Sequence, residues 1–260
     1  MTARAPAVAG LFYEADPARL RRHVDGLLAG VSDGSHPFPR ALIVPHAGYI
    51  YSGQTAARAY ARLRHRERPI RRVALFGPAH RVYLEGMAVP SVEAFDTPLG
   101  RIPLDLEGID AVRSMPGVCV SDEAHREEHS LEVQLPFLQA VLTDFSLVPV
   151  VVGRCEGPLV GAVMEALWSD AGTLLLVSTD LSHFHSYDRA RNLDTRTSER
   201  LLPRHRDLVG EEAYGASALN GLMSTGRSRS LEMELIDLCN SGDTAGDRNR
   251  VVGYGAFSLH

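Results

Sequence analysis

A chain of 260 residues, 45% hydrophobic and 23% charged, has the composition to bury a sizeable core and is neither fibrous nor disordered. A net charge of -5, with arginines scattered along the chain, excludes the basic face that a nucleic-acid footprint needs. All 27 basic residues are arginine, which excludes Schiff-base catalysis and a lysine-dependent P-loop, and the dispersed Cys119, Cys155 and Cys239 make neither a disulfide framework nor a zinc ribbon.

In chain order, 17–28 predicts a helix, with Asp16 as its cap and Pro17 at the first helical position, where a missing N–H costs nothing. The apolar run 41–44 predicts a strand and the alanine-rich 54–63 a helix. Strands follow at 73–76 and 87–89, then a helix at 131–142. The run 146–152 is apolar without alternation, as expected of a central strand covered on both faces. After it come a helix at 159–168, a strand at 173–177, and helices at 187–202, 213–223 and 231–238. A polar loop over 240–250 then leads to a final strand at 251–257. Strands alternating with helices predict an α/β protein: a three-layer α/β/α sandwich on a mixed, largely parallel central sheet. No composition shift or repeat divides the chain, so residues 1–260 are expected to form a single domain. The start lacks a signal-peptide pattern and no run approaches roughly eighteen apolar residues, so a cytoplasmic protein without a membrane span is expected.

In open α/β sheets ligands bind beyond the carboxyl ends of strands, so polar residues placed there carry the functional signal. Three places qualify. In ALIVPHAGYIYSG, Pro45 stops a strand and His46 follows at once; VALFGPAHR ends in His80; LLLVSTDLSHFH presents Asp180, His183 and His185. Imidazole suits iron, copper and zinc, and imidazole with carboxylate suits oxygen or Lewis-acid chemistry. A single histidine in such a place is more often a surface or satisfied core residue, so the weight rests on the three together. A fourth cluster, HREEHSLEVQLPFL, matches the H-x-x-E-H pattern of inverted zinc peptidases at His125, Glu128 and His129. That chemistry requires one continuous helix through both histidines, whereas Ser130 before an apolar run reads as a helix start that leaves them on a loop.

The blocks PHAGYIYSG, FGPAHR, EHSLEVQLPFL, STDLSHF and SGD...RVVGY, in this order, resemble the Memo family, including bacterial members called AmmeMemoRadiSam system protein B. VAGLFYEADPARL also fits, and the resemblance spans essentially the whole chain. It implies the fold of class III extradiol dioxygenases and a non-haem iron pocket, in a family described as redox-active metal binders and as phosphopeptide binders. Residue by residue, it makes His46 and His80 metal ligands. It makes Asp180 and His183 the segment that holds the acid/base, and Glu128 and His129 part of the same pocket. Tyr214, in EAYGASALNGL, stands where the family commonly supplies a ligating cysteine. A phenolate is a harder donor than a thiolate and lowers the prospect of copper(I) chemistry.

The resemblance therefore implies iron, with copper or zinc as rivals, held by His46, His80 and an oxygen donor, Tyr214 first and Asp180 or Glu128 as alternatives. His183 is then the general base, and Glu128 and His129 share the catalytic pocket. Other classes stay open: a binding protein that grips an anionic or phosphorylated small molecule or peptide without metal, and a zinc-dependent hydrolase. The family context implies radical-SAM and AMMECR-domain proteins as partners.

Overall fold

The apolar runs of the sequence come together as parallel neighbours in one sheet, and that sheet aligns the strand ends that matter. The computed structural model describes residues 2–32, 34, 36–64, 69–168 and 171–260. In chain order these form β1 (Ala3–Arg4), α1 (Pro17–Ala29), β2 (Ala41–Val44), α2 (Tyr49–Ala61), β3 (Arg72–Pro78), β4 (Met87–Val89), β5 (Ala94–Thr97) and β6 (Gly100–Pro103). Next are α3 (Leu106–Val112), β7 (Val118–Val120), α4 (Asp122–Arg126), α5 (His129–Glu132), α6 (Leu135–Val141), β8 (Ser146–Val152) and α7 (Gly157–Leu167). The chain closes with β9 (Thr173–Ser178), β10 (His183–His185), α8 (Tyr187–Leu201), α9 (Ala216–Ser224), α10 (Gly226–Ser230), β11 (Met233–Asn240) and β12 (Val251–Leu259).

The main sheet runs β10-β12-β2-β9-β3-β8-β4-β7, with β11 paired to β12. Strands β2, β9, β3 and β8 are mutually parallel, while β12 and β4 join them antiparallel, so the sheet is mixed with a parallel centre. Helices α1, α2 and α6 pack together, as do α3, α7 and α9 in a second group, and the two groups cover the sheet. This is the predicted α/β/α arrangement. Strand β8 lies between β3 and β4 and is buried beyond Ser146, as its unbroken apolar run requires. A separate three-stranded sheet, β1-β5-β6, was not foreseen. No described helix is long and apolar enough to cross a membrane.

Most predicted elements match to within three residues at each end, and three depart further. The segment 231–238 is not a helix: from Met233 onward it belongs to β11, paired antiparallel with β12 from Met233 opposite Leu259 to Asn240 opposite Gly253. Glu234 and Asp237 both turn to α2, pairing with Arg62 and Arg58, although they are three residues apart. A strand allows that only because a register shift falls between Leu235 and Asp237. The shift imitates helical spacing, and pairing with β12 overrides it. The predicted helix at 131–142 divides into α5 and α6 around Gln134, and α2 begins at Tyr49, five residues before the alanine-rich run.

The segment leading into α1 is tied down from within. Glu132 is fully buried and receives the N–H groups of Ala7 and Val8, the Tyr13 hydroxyl and Arg4 Nη1, all at 2.6–2.9 Å. Arg4, itself buried, also donates to the carbonyls of His125 and Glu128 at 2.5 and 2.8 Å. A buried ion pair is sustained only by such complete hydrogen bonding, and losing one member leaves an uncompensated charge. Arg4→Ala is expected to lower the unfolding free energy by about 3–5 kcal/mol in urea titrations. A loss below about 1 kcal/mol would mean that the neutral donors alone satisfy Glu132.

Candidate metal centre

Three adjacent parallel strands deliver the site. His46 follows β2, His80 follows β3, and Asp180 follows β9, which lies between those two strands. The fourth contributor is α5, which docks against the end of β3. A side chain at Gly77 would stand 2.8 Å from both Leu131 Cδ2 and Ser130 Oγ, so the close approach depends on glycine there. Glu128 caps α5, its carboxylate accepting from the Ser130 N–H at 2.9 Å.

His46, His80 and His129 converge. One ring nitrogen of each lies within 4.8 Å of the other two, and the group can hold a metal ion. The ring of His46 stands edge-on to those of His80 and His129, at centroid distances of 5.0 and 5.6 Å, and His80 and His129 are 4.3 Å apart. His46 is 1% exposed, and its Nε2 has no hydrogen-bond partner. Burial, then the neighbouring rings of His80, His129 and His183, hold His46 well below the usual histidine range. Burial, then His80, pushes His129 down to about 4. Both rings are therefore neutral at cellular pH, the form that ligates metal.

His80 is oriented by Glu128, whose oxygens accept from its backbone N–H at 2.6 Å and from Nδ1 at 2.8 Å. Burial opposes ionisation of Glu128, but the hydrogen bonds from His80 and Ser130 outweigh it and hold the carboxyl at about 2. The ionised carboxylate accepts only, so His80 carries its proton on Nδ1 and turns Nε2 away from Glu128. The same logic applies to His183: Nδ1 donates to the Leu181 carbonyl at 2.9 Å, leaving Nε2 as an acceptor. Asp180 is buried, with Oδ1 accepting the His46 N–H at 2.7 Å and Oδ2 3.9 Å from His46 Nε2. Burial pushes its carboxyl up to about 7 against the opposing hydrogen bond from His46.

Tyr214 reaches the site from the turn before α9, which approaches closely because Gly215 leaves room against Thr179. Its ring lies flat on His80, centroids 4.3 Å apart at 7°, and 5.6 Å from His183, with 44% of the residue exposed. Two contributors were not singled out in the sequence. Phe12 packs 4.7 Å from His129, and Ser178, at the end of β9, meets His46 Nδ1 at 3.1 Å. Neither stands out in a sequence, because one looks like a core aromatic and the other like an ordinary strand-end serine. The inverted-peptidase arrangement is absent. Helix α4 stops at Arg126, and the His125 ring points elsewhere, with Nε2 on the Ala88 carbonyl at 3.0 Å. The extended backbone of Glu128, φ -77° and ψ 124°, breaks the helix that the pattern would need.

Residues 4–258 match the family described as Memo-like protein. The chain belongs to the Memo-like family. Among Memo-like relatives, the MEMO1 family proteins of Aquifex aeolicus and Methanopyrus kandleri are 35% and 34% identical, with 98% of each chain covered. That of Methanothermobacter thermautotrophicus is 36% identical over 98% of this chain and 99% of its own. The crystal structure of an uncharacterized protein from Escherichia coli K12 matches with a TM-score of 0.54 and 16% identity, covering 84% of this chain and 99% of the other. That likeness supports the fold alone. The three-histidine group itself stands on this chain's own geometry: a buried His46 nitrogen without a hydrogen-bond partner, faced by two further imidazoles.

The raised carboxyl of Asp180 has a signed consequence for the metal-free protein. Between 3.8 and about 7 the folded state keeps a proton that the unfolded chain releases, so stability falls as pH rises through this window and the penalty is complete above it. Asp180→Asn retains an acceptor for the His46 N–H. With chelator present, it is expected to unfold at higher urea than wild type at alkaline pH, by on the order of 2–4 kcal/mol, and to match wild type below about pH 4. A difference independent of pH would show that this carboxyl titrates normally.

Proposed function

We propose that this Memo-like protein binds iron through His46, His80 and His129 and acts as a dioxygenase-like or otherwise redox-active protein on a small substrate. The observation that carries the reading is His46 Nε2, an acceptor with no partner in a 1% exposed residue, facing two more imidazoles. An unpaired buried acceptor costs roughly 1–3 kcal/mol, and a metal ion is the partner that three converging imidazole nitrogens suit. Bound iron would supply Lewis-acid activation and electron transfer at its open positions.

The surrounding residues handle protons and access. His183, with Nε2 free as an acceptor at the rim, takes a proton from a bound substrate. Asp180, near neutrality in its acidity and fixed by the His46 N–H, holds or returns a proton beside it. Glu128 keeps His80 in one tautomer and one orientation. Tyr214 forms the open wall. Its ring lies parallel to that of His80 and off the plane in which His80 Nε2 directs its lone pair, which favours His129 over Tyr214 as third ligand.

Metal analysis after anaerobic iron reconstitution tests the donor set. Wild type and Tyr214→Phe are expected to retain iron near stoichiometry, and His129→Ala to lose more than about 100-fold in affinity, beyond the range of roughly 10–100-fold that outer partners of a metal contribute. Iron retained in His129→Ala but lost in Tyr214→Phe would make the tyrosine the third ligand. Substrate-dependent oxygen uptake, with catechols as first probes, should disappear in His183→Ala while its iron remains. Tight zinc in place of iron, with ester hydrolysis and no oxygen uptake, would replace the redox reading with a hydrolytic one.

A further inference from the structure

Ser178 is fully buried at the end of β9, and its hydroxyl oxygen has three neighbours. The Ser130 carbonyl lies at 2.7 Å, Gln134 Nε2 at 2.9 Å and His46 Nδ1 at 3.1 Å. A hydroxyl brings one proton and two acceptor positions. The carbonyl of Ser130 accepts only, so it takes the proton. The other two neighbours must then donate.

For Gln134 the amide orientation is decided independently. Its Nε2 also lies 2.9 Å from the Pro45 carbonyl, and its Oε1 receives the Tyr60 hydroxyl at 2.8 Å. A flipped amide would set oxygen against the Pro45 oxygen. The remaining donor to Ser178 is therefore His46 Nδ1–H, which leaves Nε2 as a bare lone pair facing His80 and His129. The same contacts fix the geometry of the histidine-bearing segments: Pro45 directly precedes His46, Ser130 directly follows His129, and Gln134 sits between α5 and α6.

We infer that Ser178 and Gln134 are positioning residues that lock His46 into its Nδ1–H tautomer and hold Nε2 ready as a ligand before any metal arrives. The purpose of this device rests on the three-histidine reading above, whereas the proton assignment does not. Both residues lie outside the histidine group and touch no substrate. They act through His46 and, by way of the Ser130 carbonyl, through the segment that carries His129.

The experiment is nitrogen-15 NMR of the imidazole rings in chelator-treated protein, paired with zinc(II) titration calorimetry. Wild type should show His46 protonated at Nδ1 only. Ser178→Ala removes the hydroxyl acceptor, leaving only the backbone of residue 178 beside the ring, and should give a mixture of tautomers and a roughly 10–100-fold weaker zinc affinity, the range seen when an outer partner of a metal-ligating histidine is lost. Ser178→Thr, which keeps the hydroxyl, should restore both, with thermal unfolding followed in parallel. His46 protonated at Nε2 in the wild type overturns the inference, and this spectrum decides even if Ser178→Ala does not fold. A single Nδ1–H tautomer with unchanged zinc affinity in a folded Ser178→Ala also overturns it. Wild type with the stated tautomer but no affinity for zinc or iron would defeat the proposed metal centre and leave the proton assignment standing.

Discussion

Glu128 divides its two carboxylate oxygens among the His80 amide, the His80 ring and the Ser130 amide, and in doing so joins the end of β3 to the start of α5. Nothing else at the site holds a full charge so deeply buried at so low a pKa, and burial alone would push that pKa up. The charge survives because its oxygens are supplied with N–H donors, and those donors can reach it only when the strand end and the helix start are correctly placed. The site geometry and the ionised state of Glu128 therefore require each other. Arg4 extends the constraint by gripping the Glu128 carbonyl from the opposite side while it neutralises Glu132 one turn further on. The chain entering the fold is thereby tied to the segment that carries His129.

That framework makes tolerable an arrangement that local rules disfavour. Unsatisfied buried polar atoms are rare in folded proteins, yet His46 Nε2 and His129 Nδ1 both lack hydrogen-bond partners in the same group. Burial, and after it the neighbouring imidazoles, oppose any proton that would charge His46 or His129. Proteins accept local conflicts of this kind mainly at functional positions, where the surrounding structure over-determines the geometry.

Much of the fold was legible because the strands are apolar runs with turn residues at their ends, and their alternation with helices dictates a parallel centre. The strand-end rule likewise found His46, His80, Asp180 and His183 before their mutual distances were known. What the sequence concealed has physical causes. Strand β11 hid behind a bulge that places Glu234 and Asp237 three apart, and the edge sheet β1-β5-β6 is built from segments too short to show alternation. His129 read as a pocket residue because its approach to His46 depends on α5 docking over Gly77, a tertiary contact with no local signature. Ser178 and Gln134 act, on the inference above, through the direction of their hydrogen bonds, and no spacing pattern encodes which atom donates.

Position 214 shows how the architecture separates the number of donors from their chemical character. The three ring nitrogens converge from two strand ends and one helix start, none of which includes the turn before α9. Tyr214 arrives from that turn, and its ring covers a face of His80. On the reading proposed above, tyrosine at a position where the sequence resemblance implies cysteine leaves the nitrogen ligands intact and places no soft donor in their vicinity. A borderline all-imidazole set then remains behind an aromatic wall, which favours iron or zinc over copper(I). On that reading the preference among metals follows from the wall as much as from the histidines it screens.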